Sequence, residues 1–220
     1  MRITKKYFPV TIILIIAGLI CIGSVYLMRI YFNNLADKAL ALAKEREILL
    51  NLNDSETSAH ADHQTEKIKI KQDNTVQIDT ESLGYIKVPD HKIESAIVEG
   101  VSSVELCYAV GHFPGTAMPG ENGKCCIAGH SSLVKKMVFN NLSDAKRGDE
   151  IWIYYKQKKY IYSVEKNYIV EPTQLEVIDQ NPEKKELTLT TCANYGTKRR
   201  IIKGILKSAE KAKVSRKQKK

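Results

Sequence analysis

The first part of the chain is defined by one long run of hydrophobic positions. From Tyr7 to Met28 no residue is charged, and most are Ile, Leu, Val or Ala. A bilayer core requires roughly 20 apolar residues of helix, so this run is long enough to span it. Cations that flank a span stay in the cytoplasm, and three precede this one: Arg2, Lys5 and Lys6. We therefore predict a cytoplasmic N-terminus at 1–6 and a transmembrane anchor at 7–32, with the remainder outside.

A helical stalk and then a polar linker are predicted after the anchor. Residues 33–52 are rich in Ala, Leu, Lys and Glu and contain no Gly or Pro, a composition that favours helix. Arg46 interrupts the apolar stripe of this helix, which favours a stalk over a coiled coil; the stripe comprises Leu35, Ala39, Leu42 and Leu49. Residues 53–74 hold few apolar side chains and cannot order themselves by burial. We assign 33–74 to the stalk and linker.

The pattern changes from about Thr75 to Leu206, where short apolar runs alternate with Gly, Pro, Asn and Asp. Many short strands with little helix between them predict a closed antiparallel β-barrel. The candidate strands are Gly84–Val88, Ala96–Glu99, Cys107–Val110, Lys124–Ala128, Glu150–Tyr155, Lys159–Val170, Leu187–Thr191 and Arg200–Leu206. Short helices are expected at Val101–Glu105, near Leu133–Asn140 and near Pro172–Val177. About 130 residues suffice for one hydrophobic core, so we assign 75–206 to one domain.

Charge is concentrated at the C-terminal end. Residues 207–220 hold seven Lys or Arg against one Glu, and so supply six of the nine net positive charges. The rest of the chain is only mildly basic, which argues against a nucleic-acid groove built into the fold. We expect a basic, solvated tail, and its attraction to anionic wall polymers or lipid headgroups is the alternative interpretation.

Two strand-like rows end in residues that can react. LTLTTC alternates apolar and polar positions, as a strand with two unlike faces does, and ends in Cys192. CCIAGH is a second apolar row and ends in His130. A thiolate is the nucleophilic form of cysteine, and an imidazole nearby can hold the proton and later deliver it to a leaving amine. Arg199 and Arg200 follow, and a guanidinium can bind the oxyanion that such an attack creates.

Four motifs in this order resemble those of the sortases, the membrane-anchored cysteine transpeptidases that attach proteins to the Gram-positive cell wall. They are GYIKVPDHKIESAIVEG, VGHFPGTAMPGENGKCCIAGH, FNNLSDAKRGDEIWIYY with KYIYSVEKNYIVEP, and LTLTTC with RRIIKGIL. The resemblance implies a mostly β fold: an eight-stranded sortase-type β-barrel with a few short helices, preceded by one transmembrane helix. It also implies that Cys192 is the nucleophile, that His130 moves the proton, and that an arginine binds the oxyanion.

The resemblance favours Arg199 as that arginine. In the family the catalytic arginine is followed by one residue and then by an apolar pair, which fits Arg199 before Arg200 and Ile-Ile. Arg200, directly followed by Ile-Ile, is the competing alignment. Adjacent residues of a strand face opposite sides, so only one arginine can point into the site. We expect the other to be a surface charge.

The remaining cysteines and histidines are expected to be structural. Cys107 with Cys125 or Cys126 is the one plausible disulfide outside the membrane. No CxxC pair with a matching His or Cys pair occurs, so no structural zinc site is expected, and no metal is expected at the linker histidines, His60 and His63. His112 lies in a loop rich in Gly and Pro, and Thr116 and Pro119 are expected to shape that loop near the site.

The resemblance implies a specific reaction. Such an enzyme would cut an LPXTG-like C-terminal sorting signal after Thr, hold the acyl group as a thioester on Cys192, and pass it to an amine of the peptidoglycan precursor. Its partners would be surface proteins that bear the signal, with no cofactor and no nucleic acid. It would be a single-pass protein of the cell membrane, with the N-terminus in the cytoplasm and the catalytic domain outside.

Two features bear on the subtype. No aromatic, acidic lid motif precedes the predicted barrel and no second apolar segment follows it, which disfavours a pilin polymerase. The connection from Glu171 to Glu186 is too short for the helix-bearing insertion of the class that recognises Asn-Pro-Gln-Thr. We therefore expect a class D-like or housekeeping sortase.

Two other classes of protein would account for part of this pattern. In a membrane-anchored cysteine peptidase or peptidoglycan hydrolase, water would resolve the thioester. Those enzymes commonly place Cys before His, whereas here His130 precedes Cys192. A non-catalytic wall-binding module on a stalk would leave the order of histidine, cysteine and arginine unexplained.

Overall fold

The computed structural model describes residues 4–56, 82–131 and 139–212. In this part of the chain one long helix, α1 (Thr4–Glu56), precedes eight strands. The strands are β1 (Ser82–Val88), β2 (Ile93–Glu99), β3 (Val110–His112), β4 (Gly123–Ala128), β5 (Glu150–Tyr155), β6 (Lys158–Val170), β7 (Lys185–Ala193) and β8 (Lys198–Lys211). A short helix, α2 (Ser103–Leu106), lies between β2 and β3. Turns of 3₁₀ helix lie at Pro89–His91, Asn140–Asp144, Leu175–Ile178 and Asn194–Gly196.

The strands form a closed barrel in the order β1-β2-β3-β4-β7-β8-β6-β5. The predicted eight-stranded barrel is therefore confirmed. The expectation that it is wholly antiparallel is wrong, because β2 pairs with β3 and β4 pairs with β7 in parallel. Parallel neighbours require a crossover connection. The one between β4 and β7 contains the β5–β6 hairpin, so two strands that are distant in sequence become neighbours.

Alternating side chains fill the barrel. Ile86, Ile127, Ile153, Leu187 and Leu189 come from four different strands, and each is fully buried in one core cluster. Fully burying a side chain of this size contributes about 1.5–3 kcal/mol. The interior is therefore a packed core, and polar chemistry is restricted to the strand ends and the outer face.

One strand was predicted in the wrong place. The run Cys107–Val110 has the composition of a strand, but β3 begins only at its last residue. Ser102 caps α2, because its hydroxyl accepts the N–H of Val104 at 3.3 Å. The N–H groups of Tyr108 and Ala109 then donate to a carbonyl of α2, so the apolar run continues the helical turn.

Other predicted elements differ mainly at their ends. The expected helix at 101–105 is found as α2, and the expected one near 172–177 is a 3₁₀ turn at Leu175–Ile178. The helix expected near 133–140 falls largely outside the described residues. β8 continues to Lys211, five residues beyond the predicted end of the domain at Leu206, so the first part of the basic tail is strand.

A single continuous helix contains both the predicted anchor and the predicted stalk. α1 has no break between Thr4 and Glu56, and its large apolar side chains from Ile12 to Met28 are exposed. By length and composition it is able to cross a membrane. It therefore fits a single-pass membrane anchor.

The stalk part of α1 packs against the outside of the barrel. Ala43 is fully buried in a cluster with Ala96 and Val98 of β2. Leu42 and Leu49, which belong to the stripe that the sequence suggested, are instead exposed. Leu35 and Ala39 of the same stripe do pack against this cluster, together with Ala36, so the packing face of the helix is mostly alanine with one leucine.

Polar contacts fix the same interface. The β5–β6 turn at Lys156 and Gln157 has left-handed backbone, with φ of 46° and 64°, and the N–H of Gln157 donates to the Glu47 carboxylate at 2.8 Å. Glu47 is only 1% exposed. Lys44 forms an ion pair with Glu94 at 2.8 Å. The stalk part of α1 is therefore bound to the outside of the barrel by these polar contacts.

Candidate active site

The parallel pairing of β4 and β7 brings the candidate base and nucleophile to the same end of the barrel. The register pairs Ala128 with Thr190. His130 follows the end of β4 by two residues, and Cys192 follows Thr190 by two, so both lie at the same end of the barrel. Both side chains are partly exposed. A thiol and an imidazole in this arrangement are suited to nucleophilic catalysis.

Two hydrogen bonds fasten the strand ends just before these residues. The N–H of Gly129 donates to the carbonyl of Thr190 at 3.0 Å. The hydroxyl of Thr191, which is buried, donates back to the carbonyl of Gly129 at 2.8 Å. These two bonds fix the backbone next to His130 against the backbone next to Cys192.

The pairing of β7 with β8 separates the two arginines. Leu189 and Ile202 pair inside the core, and Arg200, two residues before Ile202, shares their face of the sheet. Cys192 pairs directly with Arg199 on the opposite, outer face. Extending the β4–β7 register two residues beyond its last pair would place His130 level with Cys192 and Arg199, in one row across the ends of three neighbouring strands.

Arg199 is hydrogen-bonded to the backbone near Cys192. Its Nη1 donates to the carbonyl of Gly196 at 2.9 Å and to that of Lys198 at 3.1 Å, in the turn between β7 and β8. These two bonds occupy one of the guanidinium nitrogens. They hold the side chain beside the β7–β8 turn, next to the end of the strand that carries Cys192.

Arg200 is not the surface charge that we expected. It is half-buried, and its Nη1 donates to Oδ1 of Asn167 at 2.7 Å. The amide nitrogen of Asn167 in turn donates to three carbonyls of the segment around the Asn140–Asp144 turn, at 2.9–3.3 Å; these belong to Leu142, Ser143 and Ala145. Arg200 is therefore part of a connected network at the end of the barrel.

A small cavity of about 200 Å³ adjoins Cys192. Cys192 and Arg200 both line it, whereas Arg199 does not. Its other polar lining comes from hydroxyls and amides: Ser131, Asn140, Ser143 and Asn194. The register thus associates Cys192 with Arg199, and the cavity associates it with Arg200.

The cysteines of β4 are poor nucleophiles. Burial raises the pKa of Cys125 well above its usual value, and burial raises the pKa of Cys126 to about 12. Both therefore remain thiols at neutral pH, whereas the thiolate is the reactive form. All five cysteines lie in the described part of the chain and are free, so the structure contains no bridge from Cys107 to β4.

His112 is a buried residue whose two ring nitrogens both have partners within the fold. It is 2% exposed, and its Nδ1 lies 2.9 Å from a carboxylate oxygen of Glu99. Its Nε2 lies 3.0 Å from the hydroxyl of Thr116 and 3.2 Å from the carbonyl of Ala117. The Thr116 hydroxyl also donates to Phe113. These contacts hold the loop between β3 and β4, in which Pro119 is buried.

Metal ligands are not gathered at this site. Among residues 4–56, 82–131 and 139–212, no three His, Cys, Asp or Glu side chains are placed to hold a metal ion. The linker histidines, His60 and His63, lie outside the described residues.

Comparison with known proteins gives a consistent family. The family model described as "Sortase domain" matches residues 86–207. Sortase A of Streptococcus agalactiae is 33% identical over 124 residues, 54% of this chain and 50% of the relative. Sortase D of Bacillus subtilis is 31% identical over 126 residues, 55% of this chain and 62% of the relative. The chain therefore spans between half and two thirds of the length of these two relatives.

Solved structures of similar fold have related names. A Clostridium perfringens sortase D5 transpeptidase has a TM-score of 0.62 at 27% identity, and the match covers 80% of this chain and 100% of that one. Sortase A from Corynebacterium diphtheriae has a TM-score of 0.56 at 27% identity, with 59% of this chain and 62% of that one covered.

Proposed function

Because this chain belongs to the sortase family of cysteine transpeptidases, we propose that it cleaves a C-terminal sorting signal and transfers the acyl part to an amine of the cell wall. The observation that carries the proposal is the direct pairing of Cys192 with Arg199 at the end of the barrel where His130 follows β4; extended past Ala128, the register would put all three in one row. The matched family model covers residues 86–207, which include all three.

Each member of the row has one role in acylation. The Cys192 thiolate attacks the carbonyl carbon of the scissile peptide bond, and the carbonyl oxygen gains negative charge. The Arg199 guanidinium remains protonated and offers several N–H groups in a fixed fork, so it can bind that oxyanion. His130 gives a proton to the departing amine as the C–N bond breaks. The acyl group is left on Cys192 as a thioester.

The choice of Arg199 over Arg200 rests on which face of β8 each occupies. Cys192 and Arg199 pair directly, and both lie on the outer face. Arg200 lies on the other face and is already bound to Asn167 at 2.7 Å. Moving Arg200 to the oxyanion would break that bond and disturb the turn that Asn167 holds.

We assign the substrate as an LPXTG-like signal and the enzyme as class D-like or of the housekeeping type. Two sortase relatives support this: one is named sortase A and the other sortase D. The structural neighbour from C. perfringens is also a sortase D. The connection between β6 and β7, with only a 3₁₀ turn at Leu175–Ile178, agrees with the short insertion noted in the sequence.

The proposed location follows from α1. Its apolar part would cross the membrane once, with the N-terminal cations in the cytoplasm and the barrel outside. Surface proteins that bear the signal would be its substrates, and the peptidoglycan precursor would provide the amine acceptor. The barrel would then work close to the membrane in which both substrates are delivered.

One experiment separates this function from its alternatives. The full chain in detergent micelles is incubated with a labelled LPXTG-like peptide, with and without an amine acceptor. Transfer that depends on the amine is the expected result. Hydrolysis that the amine never diverts would indicate a peptidase or hydrolase, and complete inertness toward the peptide would indicate a binding module.

A further inference from the structure

We infer that the cavity beside Cys192 binds a carboxylate of the amine acceptor, and that Arg200 is the cation that selects it. Preferred acceptors would then carry a carboxylate within a few bonds of the attacking amine. This inference rests on the proposed function, because it concerns the second substrate of the same thioester. It gives Arg200 a role distinct from that of Arg199.

The charge of the cavity favours an anion. Of the described residues that line it, Arg200 is the one charged group and none is acidic. Hydroxyls and amides from Ser131, Asn140 and Asn194 line it as well. The Ser143 hydroxyl also lines it but already donates to Asp144 at 3.1 Å. A carboxylate needs this combination, since a guanidinium binds it through two parallel N–H bonds and neutral donors satisfy the remaining lone pairs.

A hydrogen bond holds Arg200 in place, and no described carboxylate neutralises its charge. Its described partner, Oδ1 of Asn167, belongs to a neutral amide. Within the described residues no carboxylate forms an ion pair with Arg200; the ion pair nearest in sequence joins Lys198 to Glu171, at 2.7 Å. Burying a charge is costly unless it is paired. A half-buried guanidinium that is fixed in place and still carries its full charge is therefore prepared for an anionic ligand.

The geometry assigns this ligand to the acceptor and not to the sorting signal. The acyl group on Cys192 lies on the outer face, where Arg199 would hold its carbonyl oxygen. Arg200 lies on the inner face and lines the same cavity as Cys192, whereas Arg199 does not line it. A volume of about 200 Å³ admits one end of a small molecule. The two arginines would thus bind two different substrates on opposite sides of one strand.

The transfer step then balances as follows. The acceptor amine attacks the thioester carbon, and a C–N bond forms as the C–S bond breaks. The sulfur leaves with the bonding electrons as the Cys192 thiolate. His130 takes the extra proton from the nitrogen, which becomes an amide. No oxidant or reductant is required.

The test compares acceptors that differ only in charge. The full chain in detergent micelles is first acylated with a labelled LPXTG-like peptide. Aminolysis of the thioester is then measured with glycine against glycinamide and with glycylglycine against glycylglycinamide, each corrected for its fraction of free amine. We expect the carboxylate of at least one pair to be preferred in kcat/KM by about tenfold, the effect of one charge-assisted contact. A wild-type protein that shows no preference in either pair overturns the inference.

Variants identify the cation responsible. Arg200→Gln should remove the preference for the carboxylate, and Arg200→Lys should restore part of it. Lys198→Gln, a nearby exposed cation in an ion pair with Glu171, is the matched control and should keep the preference. A preference that persists in Arg200→Gln refutes the inference. So does loss of thioester formation in that variant, because Arg200 would then serve acylation. Failure of the wild-type chain to form any thioester would instead refute the proposed function.

Discussion

Gly129, the residue before His130, offers a direct test of how the candidate site is held. A Cβ added at Gly129 would lie 2.5 Å from Cδ2 of Phe139 and 2.8 Å from two further ring atoms. Phe139 is 1% exposed and belongs to the core cluster, so its ring has no open space to enter. The Gly129 backbone cannot retreat either, because its N–H and its carbonyl are both bonded to β7. Gly129→Ala must therefore overpack the core or displace the strand end.

Overpacking of this kind costs about 1–3 kcal/mol. We expect Gly129→Ala to lower the free energy of unfolding by about that amount in denaturant titrations of the full chain in micelles. Because His130 is the next residue, the rate of thioester formation in a single turnover should fall as well. Gly204→Ala is the matched control. Its Cβ would meet no atom closer than 3.4 Å, so it should be neutral or stabilising by up to about 1 kcal/mol.

A second substitution tests the cause. Phe139→Leu removes ring atoms that the new methyl would strike, so the double variant should recover part of the stability lost in Gly129→Ala. A double-mutant cycle measures this coupling. Equal stability of Gly129→Ala and the wild type, or strict additivity of the two changes, would contradict this account of why a glycine precedes the histidine.

Three further results are expected. Arg199→Ala should slow acylation on the order of 100- to 1000-fold with little effect on peptide binding, and Arg199→Lys should rescue poorly, since a point charge does not reproduce the fork; an unchanged single-turnover rate would remove Arg199 from the site. Cys192→Ala should abolish the thioester while the free energy of unfolding stays unchanged. Burial raises the pKa of Cys126 to about 12, so iodoacetamide at pH 8 should alkylate Cys126 only after denaturation, as peptide mapping would show. Glu47→Ala should speed hydrogen exchange at the Gln157 amide, which donates to the Glu47 carboxylate, by at least about tenfold, because a charge-assisted bond contributes about 1.5–3 kcal/mol. Glu45→Ala is the exposed control and should leave this exchange rate unchanged. Equal exchange rates in the two variants would show that α1 is not docked there.

The sequence revealed most strands because their two faces differ. β5 alternates buried and half-buried positions along its whole length, and this period is visible in EIWIYY. β3 has only three residues, all buried, and so carries no alternation to detect. The parallel pairings could not be predicted from local pattern, because a strand's composition does not specify its neighbour.

The candidate site was predictable as residue types but not as geometry. The ends of LTLTTC and CCIAGH indicated Cys192 and His130 as candidate reactive groups, and the pairing of β4 with β7 brings both to the same end of the barrel. The environment of Arg200 was missed, because it depends on Asn167, a residue with no sequence signal of its own. The docking of α1 was missed for a similar reason: a stripe of alanines and one Glu looks like an ordinary exposed helix.

The parallel pairing of β4 and β7 also has a consequence for the order of folding. Gly129 and Thr191, which fasten the two strands together, are 62 residues apart in the chain. Closing so long a loop has an entropic cost that local contacts do not share, and non-local pairings are slow to form. The β5–β6 hairpin within the loop needs only a two-residue turn and can form early. We expect the end of the barrel that carries His130 and Cys192 to assemble last, so that a partly folded chain holds these two residues apart.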